Sequence, residues 1–102
     1  MPALPDELRI LGKTWHFIER PDLIETDDVF GLCDIREQRI LYCSETTPSQ
    51  MRDTILHEVI HAIEGTIGLD LSEVEVHALA AGLYAVAQDN PDWTRWMFCP
   101  QS

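Results

Sequence analysis

The chain has 102 residues, 45% hydrophobic and 25% charged, a composition that suits one folded domain and excludes a disordered or fibrous class. A formal charge of −11, with only seven Lys and Arg in total, excludes a nucleic-acid binder that tracks phosphates. No apolar run approaches a membrane span and no secretory signal opens the sequence, so a cytoplasmic setting without membrane partners is expected.

In chain order, residues 8–11 and 14–19 carry apolar side chains in partial alternation, Trp15 and Phe17 among them, and predict two strands. His16 is expected to pack rather than react. Pro21-Asp22 breaks the pattern, and residues 25–28 read as an acidic surface turn. Residues 29–34 and 39–43 predict a β-hairpin turning near Glu37-Gln38, which brings Cys33 near Tyr42. Strand 39–43 is the candidate sheet edge for backbone pairing with an extended peptide. Cys33, Cys43 and Cys99 are odd in number and lack ligand spacing, so reduced and mostly buried thiols are expected.

Thr47-Pro48-Ser49-Gln50 combines a capping threonine, a proline at the first helical position and a capping-box glutamine. Leu56, Val59, Ile60, Ile63 and Ile67 then recur at helical spacing up to Gly68, a natural stop. A second helix opens at Ser72, with Glu75 as its capping-box partner and Val76, Leu79, Leu83 and Val86 as its main apolar face. After Asp89-Asn90-Pro91, the residues Trp93, Trp96, Met97 and Phe98 predict a short closing helix whose aromatics pack into the core.

The first helix carries His57-Glu58-Val59-Ile60-His61, an H-E-x-x-H pattern. Histidines four apart stand on one helical face and can reach a single ion, with Glu58 beside them to accept a proton from water. A catalytic zinc site needs a third protein ligand and an open fourth position. Asp70, Glu73, Glu75 and His77 follow within reach of the sequence. The capping box occupies Glu75, which favours Glu73 as the ligand, with Glu75 the alternative and His77 a less favoured replacement. His77 also suits support of a ligand from behind. Candidate oxyanion donors are Tyr84, His77 and Tyr42.

A strand-rich N-terminal half, a helix with H-E-x-x-H and a second helix with a glutamate a dozen residues later resemble the gluzincin metallopeptidases. The chain is more similar still to the very short zincin-like proteins often encoded by phages and prophages. The matching segments are Leu8-Arg9-Ile10-Leu11-Gly12-Lys13, Ile55-Leu56-His57-Glu58-Val59-Ile60-His61-Ala62, and Leu71-Ser72-Glu73 through Leu79-Ala80. The resemblance implies an α+β, minimal zincin-like fold, a small twisted N-terminal sheet packed on the metal-binding helix and a second helix. It implies Zn2+ held by His57, His61 and Glu73, with Glu58 as general base in hydrolysis of a peptide or protein substrate. For a phage-encoded chain the setting would be the bacterial host cytoplasm. His77 stands where gluzincins commonly carry aspartate or asparagine. The alternative is a non-catalytic, zinc-containing protein-interaction module of phage or prophage origin. The intact Glu58 favours catalysis, because a purely structural site has no use for that carboxylate.

Overall fold

The computed structural model describes residues 3–99. Its elements, in order, are β1 (Glu7–Ile10), β2 (Lys13–Glu19), α1 (Leu23–Asp27), β3 (Gly31–Asp34), β4 (Arg39–Tyr42), α2 (Pro48–Ile67), α3 (Glu73–Asp89) and α4 (Pro91–Phe98). The fold is α+β, with a four-stranded mixed sheet in the order β1-β2-β4-β3.

Pairing of Ile10 with Lys13 leaves Leu11 and Gly12 as a two-residue turn. Both have positive φ, 49° and 86°, the geometry that matches the twist of a tight hairpin. β2 then runs parallel to β4, with His16 opposite Arg39 and Glu19 opposite Tyr42. Parallel neighbours need a crossover, and α1 with β3 provides it. The residues expected as an acidic turn thus contain a short helix, anchored by the fully buried Leu23 and closed by Asp28 in the left-handed region.

The β3–β4 hairpin pairs Asp34 with Arg39, so its loop spans residues 35–38. Asp34 closes that loop, accepting from Arg39 Nη2 at 2.8 Å and from the Glu37 N–H at 3.1 Å. Cys33 consequently faces Ile40 and Tyr42 faces Gly31, which corrects the register expected from a tighter turn. β4 lies inside the sheet, between β2 and β3. The edge beside α2 is therefore β3, and strand 39–43 is not an edge.

α2 begins and ends as its sequence dictates. Thr47 Oγ1 accepts from the Gln50 N–H, Pro48 occupies the first turn, and Gly68 caps the end at φ 82°. Its inward stripe is Thr54, Glu58 and Ala62, all buried, with Ile55 and Val59 against a core of Ile10, Trp15 and Ile40. Ile63 and Ile67 are 36% and 54% exposed, so the buried face is rotated from the expected apolar stripe. Two polar side chains sit on that buried face. Such placement is costly without a purpose.

α2 lies between the sheet and α3. The Ser72–Glu75 capping box is complete, Glu75 N–H to Ser72 Oγ at 3.1 Å and Ser72 N–H to Glu75 Oε1 at 2.8 Å. Val76 and Ala80 are buried, and the small Ala80 lets the helices approach. Leu79, Leu83 and Val86 remain 47%, 48% and 43% exposed, so most of the expected apolar face is only partly covered by the described residues. None of the α4 residues is buried. Trp93 and Phe98 meet edge to face with ring centroids 6.1 Å apart, but these aromatics stay outside the core, contrary to expectation. Of the free cysteines, Cys43 is buried, Cys33 half-buried and Cys99 exposed, which corrects the expectation for Cys99. Among the described residues, no helix is long and apolar enough to cross a membrane.

Candidate metal centre

One helical turn of α2 places the rings of His57 and His61 with centroids 4.9 Å apart. Glu73, the first residue of α3, reaches both from across the helix pair. Its Oε2 lies 3.1 Å from His57 Nε2 and its Oε1 lies 2.7 Å from His61 Nε2. One donor atom from each of the three falls within 4.8 Å of the others. This donor set could hold a metal ion. Two imidazoles and one carboxylate suit zinc and related divalent ions, with room for a further ligand.

The same geometry separates the two candidate glutamates. Glu75 stays in the capping box, where the Ser72 N–H holds its carboxyl below the usual carboxylate range. Glu73 is 74% exposed at its side chain and free of that duty.

Glu58 points inward and is only 7% exposed. Burial pushes its carboxyl up to about 7; His61 pulls in the opposite direction and Glu73 adds to the rise. The backbone of β3 passes directly over it. A Cβ on the buried Gly31 would meet Thr54 Cγ2 at 2.6 Å and Glu58 Cγ at 3.1 Å, so only glycine fits this crossing. Sequence reasoning missed Gly31, because the crossing depends on where a distant helix packs.

Glu64 was also missed. Its Oε1 lies 2.6 Å from His61 Nδ1 and its Oε2 accepts from the Leu71 N–H at 2.7 Å. The Leu71 N–H, then His61, hold its carboxyl below the usual range. A signal was present, since Glu64 stands three residues after His61 on the same helix.

The three ligand candidates face a cleft of about 710 Å³ between β3, α2 and the start of α3. Val29, Phe30, Leu32 and Ile35 form its apolar wall, and Gln50, Asp53 and Thr54 extend the opposite wall along α2. Cys33 also lines it, but burial pushes its thiol up to about 12, so it stays a neutral thiol at ordinary pH. His77 is in the cleft, its ring centroid 6.4 Å from that of His57. Tyr84 does not line it; its hydroxyl accepts from the Gln88 amide at 2.8 Å. Tyr42 lines a separate, mostly apolar groove of about 1030 Å³ with Leu8, Phe17 and Ile55. His16 is exposed, with Nε2 3.7 Å from a Glu7 carboxylate oxygen, and does not pack into the core.

Comparisons with protein-family models, with curated proteins and with solved structures returned no match.

Proposed function

We propose that the protein is a zinc-dependent, zincin-like peptidase in which His57, His61 and Glu73 hold the ion and Glu58 is the general base. The observation that carries this reading is the convergence of that triad in a cleft next to a buried glutamate. The donor chemistry fits the group, because two imidazoles and a carboxylate each bring a donor atom within 4.8 Å of the others. Zinc held there would supply Lewis-acid polarisation of a carbonyl and would lower the pKa of water.

The remaining work falls to side chains of this chain. Glu58 accepts a proton from the attacking water and returns it to the departing amine, a role that favours a carboxyl poised near neutrality. Its burial excludes bulk water from that proton. β3, the sheet edge beside the cleft, offers its outer side to backbone pairing with an extended peptide, with Phe30 and Leu32 45% and 39% exposed there. His77 lies within the cleft as a donor for the oxyanion. These are the roles that a resemblance to short, phage-type gluzincins implies.

One observation favours the alternative, a non-catalytic zinc-containing interaction module. Trp96, Met97 and Phe98 are 74%, 53% and 67% exposed, and exposed apolar groups of this size suit a partner surface. Incubation of native and Glu58→Gln proteins with a diverse peptide library, read by mass spectrometry, separates the readings. The peptidase reading expects cleavage by the native protein and a loss of ~100- to 10,000-fold in the variant. Cleavage by neither protein, with zinc bound, would favour the module.

A further inference from the structure

We infer that Glu64 is a positioning residue of the metal centre, a single carboxylate that orients the His61 ligand on α2 and fixes the start of α3 that carries Glu73. The inference rests on the metal-site reading above. Glu64 is 9% exposed and both of its oxygens are engaged, one on α2 and one on the connection that leads into α3.

On the α2 side, Oε1 lies 2.6 Å from His61 Nδ1, which places the Nδ1 proton toward the carboxylate. The opposite ring nitrogen, Nε2, lies 2.7 Å from Glu73 Oε1, and with the proton kept on Nδ1 it is the nitrogen whose lone pair an ion shared with Glu73 would take. A carboxylate behind a ligating imidazole fixes both the ring orientation and the nitrogen that binds.

On the α3 side, Oε2 accepts from the Leu71 N–H at 2.7 Å. Leu71 immediately precedes the Ser72 cap, and Glu73 is the next residue. The Glu64 backbone carbonyl also accepts from the N–H groups of Gly68 and Leu69, at 2.9 and 3.0 Å. Glu64 thus holds the α2–α3 connection through Leu71, which is two residues of chain away from the third ligand. It does not line the cleft, so it acts through His61 and Glu73 rather than on a substrate.

The test compares zinc affinity of native, Glu64→Ala and Glu64→Gln proteins by competition with a chromophoric chelator. Thermal melts of the metal-free forms confirm folding. Glu64→Ala should bind zinc ~10- to 100-fold more weakly, the usual loss when the partner behind a ligand is removed. Glu64→Gln has one carbonyl oxygen to offer, so its affinity should fall between the two. A purely structural anchor would lower the melting temperature without this graded loss of affinity. In the zinc-loaded native protein, nitrogen-15 ring spectra should show His61 bound through Nε2 with a proton on Nδ1. Zinc affinity within twofold of native in the folded variants, or His61 bound through Nδ1, overturns the proposal. A native protein that takes up no zinc overturns the metal reading itself, a distinguishable result, and this proposal with it.

Discussion

Glu73 and Glu75 show how much one helix start can decide. Both lie in the first turn of α3, yet one approaches two imidazoles and the other returns to the Ser72 N–H. Glu73→Gln should weaken zinc binding by more than the ~10- to 100-fold typical of an outer partner, whereas Glu75→Gln should leave affinity near native. Zinc titration of the two variants checks this, and a loss confined to Glu75→Gln would reverse the assignment. The grouping of His57, His61 and Glu73 was legible because helical spacing and capping chemistry are local. Tyr84 was a poorer candidate because helical phase on α3 does not say which side of the helix faces the cleft. Its partner is Gln88, one turn along the same helix.

At the scale of elements, local signals located α2, α3 and α4 closely, and non-local pairing decided what they missed. The parallel match of β2 with β4 inserts β4 into the sheet and pushes β3 to the edge. No residue within 39–43 announces that neighbour. The α1 helix was hidden for a related reason, since its five residues are held by burial of Leu23 rather than by a strong helical pattern. The crossing of β3 over α2 gives a direct test. Gly31→Ala should destabilise the fold by about 1–3 kcal/mol, because the added methyl would overlap Thr54 Cγ2 at 2.6 Å. It should also shift Glu58, and the peptide cleavage proposed above should fall more than zinc affinity does. Denaturant unfolding measures the stability, zinc titration beside the peptide-library assay compares the two losses, and a neutral Gly31→Ala would show that the crossing is looser than described.

For the whole molecule, the layered plan of sheet, α2 and α3 leaves the outer side of α3 and all of α4 without a further layer among the described residues. Sequence patterning marked those residues as apolar and placed the α4 aromatics in the core, because periodicity does not record which faces a tertiary neighbour covers. Acid titration probes the folded state as a unit. Arg39 and the Glu37 N–H hold Asp34 below its ordinary value of 3.8, and the Ser72 N–H holds Glu75 below 4.5. A carboxyl with a depressed folded value stabilises the fold above its unfolded value, and that contribution is lost as pH falls through the folded one. The melting temperature of the metal-free protein should therefore drop below about pH 4.5, and Glu75→Gln should show a shallower drop. Equal slopes would remove the capping box from the acid response. The central claim is that the His57–His61–Glu73 triad is a metal centre, and elemental analysis of dialysed protein tests it most directly. About one divalent ion per chain is predicted for native and Glu58→Gln proteins, with stoichiometric binding lost in His57→Ala and His61→Ala. Metal content unchanged in the two histidine variants, or none in the native protein, would contradict the account.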